Sequence, residues 1–392
     1  MSIFSRYCED VEELAKITLH GKPIGRPIDL RLWTESLVSR ALNLAENIFH
    51  EAEMERASDG SILVALDNGS LLALTCMPDK QLGAFAIRVG ETYFVAIKFG
   101  LIRLLFNLSL ATWRDQRFLS DIRPYAREAT YLSTDFIPPG FEEIFLHDDF
   151  SLSGEIRYAI FYRCFEQAVS FLWLHEIAHV LCGHTDIVAK LGESLGIIDE
   201  FLNIAESDDY EPDESRQDPI PYHAFEIQAD RWALDNLFRT LHQRIKSTSA
   251  DDLDLIATAI GCTLFPLSLH GYDLLQSRPD FAVYHPPLWF RADDVLRAED
   301  KAANDQWFSI ARGEKDFELF RFRQKNLLQC GLASLSRLHP MFGDWLSPVA
   351  ESSRQAEAQR VLGEANMLFE PWRNDLSHYR RRIKISSQIS SL

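Results

Sequence analysis

The sequence predicts an α+β fold, mainly helical, with a small antiparallel β-sheet and a helical C-terminal extension. Three observations predict it. Four short runs rich in Val, Ile, Leu and Phe, at 61–66, 70–76, 83–89 and 92–97, are divided by turn signals at Asp67-Asn68-Gly69, Pro78-Asp79 and Gly90-Glu91. Apolar residues recur at helical spacing on both sides of that section. A long apolar stretch at 153–183 reads as a buried helix, yet it carries ionisable residues near its end.

In chain order, residues 1–60 read as a helical segment, with helices at 9–19 and 32–57. In the second of these Leu37, Ala41, Leu42, Leu44, Ala45 and Ile48 share a face. Residues 61–152 read as a β-meander followed by a helix at 100–113 and an irregular stretch. Asn68-Gly69 is a strong hairpin signal, and the turn at 90–91 a second. Residues 153–304 read as a helical core, with helices at 153–183, 187–202, 223–242, 252–275 and 286–304. Gly192 and Gly196 interrupt the second of these and Pro266 kinks the fourth.

Between two of those helices, residues 206–221 hold seven acidic side chains, one arginine and three prolines. Such a segment cannot form a core and reads as a solvated acidic loop, with a lid as the sharper alternative. Residues 305–392 read as a helical extension ending in the basic run Tyr379-Arg380-Arg381-Arg382-Ile383-Lys384, taken at face value as a solvated terminus.

Composition narrows the function classes. The 392 residues are 46% hydrophobic and 25% charged, as in a soluble globular protein. A net charge of −18 gives no basic field for phosphates, so nucleic acid is not an expected partner. Six scattered cysteines without a C-x-x-C pair read as reduced thiols in a cytoplasmic protein. The N-terminus lacks the apolar core of a signal peptide. The apolar stretches at 100–113 and 255–269 are shorter than the roughly 20 residues a membrane span needs.

The chemistry sits at the end of the 153–183 helix, in His175-Glu176-Ile177-Ala178-His179. Residues i and i+4 of a helix lie one above the other, so both imidazoles can reach one metal ion. Glu176 lies about a quarter-turn round, positioned to serve a water molecule instead of the metal. This pattern serves zinc-dependent hydrolysis. Three ionisable side chains in a buried apolar helix would each cost several kcal/mol unless paired or bound to metal. Gly183 is a natural residue to end the helix.

A catalytic zinc takes three protein ligands. His184 is the nearest further histidine, but it falls beyond the helix, in a turn past the site, with a supporting role behind the ligands as the sharper alternative. The stronger choice is Glu226, in His223-Ala224-Phe225-Glu226-Ile227-Gln228-Ala229-Asp230. Asp230 shares its face and can accept the free ring N–H of a ligating histidine. Ala229 and Ala233 would let a second helix approach. Two like charges four apart repel on a solvated face, an objection that a shared cation removes.

These motifs resemble gluzincin-type metallopeptidases, whose H-E-x-x-H is followed by E-x-x-A-D. Gly83-Ala84-Phe85-Ala86, the strand after it and Gly100-Leu101 look like the edge strand and helix of the HtpX and CAAX-prenyl-protease families. Those families carry Asn where this chain has Gly83, and they are membrane-embedded. His285-Pro286-Pro287-Leu288-Trp289-Phe290-Arg291 resembles their H-P-x-x-x-R signature. Over about residues 60–300 the order of motifs is similar to the Lit-type phage-exclusion peptidases, with Ile256-Ala257-Thr258-Ala259 as a further match. The ImmA/IrrE regulatory proteases, with H-E-x-x-H-x-x-x-G-H, are the nearest rival.

The resemblance implies a zincin-like core and a zinc endopeptidase that cuts an intracellular protein, in phage defence or stress regulation. In the Lit-type group the substrate is elongation factor Tu. It also implies His285 as the oxyanion donor, assisted by Tyr284 or Arg291. Glu176 is expected to take the proton of the attacking water and pass it to the leaving amine. The strand at 85–89 is expected to pair with an extended substrate by β-augmentation. A gate is expected in the 206–221 loop, in the C-terminal helices or through a regulatory protein partner. The rival classes are an ImmA/IrrE-like protease acting on a transcription factor and a non-catalytic, zinc-stabilised binding protein.

Overall fold

The structure is a computed structural model and describes residues 3–19, 22–29, 36–49, 52–114, 155–190, 198–199, 222–246, 261, 360, 363, 367 and 380–383. It is a mixed α/β protein. Among the described residues there are six helices: α1 (Ile3–Leu14), α2 (Ser36–Ile48), α3 (Phe99–Arg114), α4 (Glu155–Leu181), α5 (His184–Lys190) and α6 (Tyr222–Lys246). The strands are β1 (Thr18–Leu19), β2 (Lys22–Pro23), β3 (Met54–Arg56), β4 (Ile62–Ala65), β5 (Leu71–Met77), β6 (Ala84–Val89), β7 (Thr92–Lys98) and β8 (Ile198–Asp199).

The chain divides into two compact units. One comprises residues 1–103, 172–225 and 365–392, the other 104–171 and 226–364. The first contains both sheets: the β1–β2 ribbon and a six-stranded sheet of order β3-β4-β5-β7-β6-β8. The expected meander is therefore corrected. β4 and β5 form the hairpin that Asn68-Gly69 signals, and β6 and β7 form the second, but β5 pairs with β7 in parallel. The physical reason lies in burial. Every residue of β5 and all but the last of β7 are buried, as suits strands covered on both faces at the centre of a sheet. β6 carries the partly exposed Arg88 and lies outside them.

One face of this sheet, with Leu63, Ala73, Phe94 and Phe85, packs with Tyr7 and Leu14 of α1. The alternate residues Leu72, Leu74, Tyr93 and Val95 are equally buried, as the two-residue period of a strand requires. From among them the Tyr93 hydroxyl reaches Asp186 of α5. A single burial of a Phe or Leu at such positions stabilises by about 1.5–3 kcal/mol.

The N-terminal region is less helical than expected. β1 occupies the end of the helix expected at 9–19, and β3 lies within the end of the helix expected at 32–57. Short pairings of this kind have no periodic signature of their own. Within the helix expected at 187–202, the described residues form the end of the short α5 and the strand β8.

β8 corrects another expectation. β6 is not a free edge along its whole length, because Ile198 and Asp199 pair with Ala86 and Phe85. The basic run near the C-terminus is not simply solvated either. The Asp67 N–H donates to the Arg382 carbonyl, the Arg382 N–H donates to the Asp67 side-chain Oδ1, and Ile383 bridges Leu66. Arg381 donates its N–H to the Leu181 carbonyl at the end of α4.

In the second unit, Phe106 of α3 meets Phe165 of α4 edge to face, with centroids 5.4 Å apart. No helix among the described residues is long and apolar enough to cross a membrane. The acidic 206–221 segment, the expected helices at 252–275 and 286–304, and almost all of the 305–392 extension lie outside the described residues.

Candidate metal centre

α4 is buried around its whole circumference at its C-terminal end, where every residue from 171 to 182 is buried. Trp173 anchors this end by donating its indole N–H to the Ala41 carbonyl at 2.9 Å. Gly183 then stops the helix with φ of +86°, a left-handed conformation that glycine takes without a Cβ clash. Its N–H donates to the Val180 carbonyl at 3.0 Å, and α5 begins at the next residue.

His175, Glu176 and His179 are all fully buried on α4. The Nε2 atoms of His175 and His179 face each other at 3.1 Å. On α6, Glu226 and Asp230 are buried one helical turn apart, with Ala229 and Ala233 also buried. Ligand atoms of His175, His179 and Glu226 all lie within 4.8 Å of one another, forming a buried group that could hold a metal ion. Among the described residues it is the one such group.

The donor set fits a metal. Two imidazole nitrogens and one carboxylate oxygen form a three-ligand set typical of catalytic zinc, which leaves one position open. Two bonds of about 2.0–2.1 Å to a shared tetrahedral ion place their nitrogens roughly 3.3–3.4 Å apart, close to the separation found here.

His184, expected in a turn beyond the site, packs against the ligand His179. Its ring is fully buried and its Nδ1 lies 3.0 Å from Nδ1 of His179. Phe225 stacks on it with centroids 4.3 Å apart and planes inclined by 12°. Gly183 reverses the chain there, so the histidine five residues after His179 folds back against it. A histidine directly after a helix-ending glycine was the available signal.

Behind the cluster, Asp186 of α5 is a buried hub. It accepts from Arg88 and Arg381, each at 2.9 Å, and the Tyr93 hydroxyl lies 2.9 Å from both of its oxygens. Burial pushes the Tyr93 hydroxyl pKa up, and the neighbouring Asp186 carboxylate pushes it further. Tyr93 therefore stays protonated and can donate. Nothing in the sequence alone pairs Arg381 with Asp186, because no local spacing connects them.

Tyr284, His285 and Arg291, expected to assist at the transition state, lie outside the described residues. No protein-family model, curated protein or solved structure matches the chain. The chemistry of the site is therefore read from its own side chains.

Proposed function

We propose that this chain is a zinc-dependent endopeptidase. The observation that carries the reading is the buried His175, His179 and Glu226 group with a fourth ionisable residue, Glu176, buried directly beside His175 and outside the ligand set. A purely structural site has no use for that extra carboxylate. Zinc, when bound, supplies Lewis acidity.

The chain's own residues do the rest. His175 and His179 offer neutral ring nitrogens and Glu226 a carboxylate oxygen. Glu176 accepts a proton from the attacking water and returns it to the leaving amine, the role of a general base and then a general acid. The buried setting strengthens each charge interaction relative to water. The Lit-type resemblance in motif order supports an intracellular protein as the substrate and phage defence or stress regulation as the setting. His285, with Tyr284 or Arg291, remains the proposed source of the oxyanion donor.

Metal analysis of the purified protein, combined with comparison of new N-termini in bacteria expressing wild type or Glu176→Gln, tests the proposal. About one zinc per chain is expected in both proteins. New N-termini are expected with wild type alone. Absence of zinc with the histidines intact, or cleavage retained in Glu176→Gln, would overturn it.

A further inference from the structure

We infer that His184 is a positioning residue that fixes the ring tautomer of His179. The inference rests on the metal-site reading above and concerns how this chain prepares one of its ligands.

A histidine that ligates through Nε2 must present a lone pair there, so its proton resides on Nδ1. His179 has its Nε2 toward His175 and its Nδ1 3.0 Å from Nδ1 of His184. If Nδ1 of His179 carries the proton, that N–H donates to Nδ1 of His184. His184 must then be the acceptor and hold its own proton on Nε2.

The partner of a ligating histidine is commonly a carboxylate or a backbone carbonyl. Here an imidazole ring takes that place, 3.0 Å from the ligand's Nδ1. One ring contact and one anchored neighbour hold His184 for this task. Phe225 stacks on its ring, and Phe225 is the residue before Glu226, so the support of one ligand adjoins another. Asp186, two residues after His184, ties the start of α5 to Arg88 and Tyr93 of the sheet and to Arg381.

The test uses the full chain as wild type, His184→Ala and His184→Asn, with two readouts. Zinc affinity is measured by competition with a chelator, and the ring tautomer of His179 is read from imidazole ¹⁵N shifts of the metal-free protein. Wild-type His179 is expected to carry its proton on Nδ1. His184→Ala should lose that preference and bind zinc about 10–100-fold more weakly. His184→Asn, whose side-chain carbonyl can replace the acceptor, should regain most of the affinity.

A His184→Ala protein that melts lower but binds zinc as wild type does would show a merely structural role and overturn the inference. A proton on Nε2 of wild-type His179 would overturn it too. If His184→Ala does not fold, the Asn variant decides: an Nδ1-protonated His179 supports the inference, and loss of that tautomer sinks it. Wild type that binds no zinc refutes the metal centre itself. The tautomer measurement, made without metal, still judges His184 separately.

Discussion

Arg381 and Asp186 stand 195 residues apart in sequence, yet their side chains form an ion pair at 2.9 Å in which the carboxylate is 2% exposed and the guanidinium 11%. Arg88 pairs with the same carboxylate but is 40% exposed, so water already solvates much of its charge. The two arginines are therefore unequal partners. Asp186→Asn should destabilise most, by about 3–5 kcal/mol, because it strands the buried Arg381 charge. Arg88→Ala should cost about 1 kcal/mol or less. Urea unfolding of the two variants checks the order, and a larger loss for Arg88→Ala would refute it.

Metal loading should stabilise the fold. A ligand that binds only the native state at 100 times its dissociation constant adds about 2.7 kcal/mol. Zinc should raise the melting temperature of wild type and of Glu176→Gln alike. Removal of a ligand in His175→Ala or Glu226→Gln should remove most of that increase. Calorimetry with and without chelator reads the effect. An equal zinc response in His175→Ala would place the metal elsewhere.

The helix carrying the motif was legible because it needed only local information. An apolar run closed by Gly183 predicts an end at 183, and α4 ends at Leu181. Four central strands were legible in position for the same reason, since alternation and turn residues are local. Their order was not. The parallel pairing of β5 with β7 depends on which strands are apolar on both faces, and several orders satisfy the same turns. In the candidate site, His175, His179 and Glu226 were found through spacing that chemistry demands. His184 breaks helical register and so is not legible as a neighbour of the site, yet the turn at Gly183 brings it back to His179. Arg381 was invisible because its partner is distant in sequence.

Gly100 and Gly83 should respond differently to the same change. A Cβ at Gly100 would lie 2.1 Å from the Lys80 carbonyl oxygen and 2.4 Å from that of Gln81, both backbone atoms. A Cβ at Gly83 would meet only the flexible side chain of Lys98, at 2.8 Å. Gly100→Ala is expected to lose about 2 kcal/mol or more through backbone displacement. Gly83→Ala should stay within about 1 kcal/mol. Thermal melts of both variants decide, and equal losses would contradict the close approach at Gly100.

Thiol reactivity should separate Cys8 from Cys182. Cys8 is exposed, whereas Cys182 is buried beside the end of α4. Burial pushes the Cys182 thiol up to about 11, against a small opposing effect of the Arg380 charge. Only the thiolate is nucleophilic, so at pH 8 about one Cys182 in a thousand is reactive in the folded protein. The folded state holds that proton more tightly than the unfolded chain does, so raising the pH through the unfolded thiol's range begins to favour unfolding. Brief iodoacetamide treatment at pH 8 followed by peptide mapping should find Cys8 alkylated and Cys182 unmodified. The same treatment in denaturant should label both. Rapid native labelling of Cys182 would mean that the junction of α4 and α5, where His179 and His184 meet, opens to solvent.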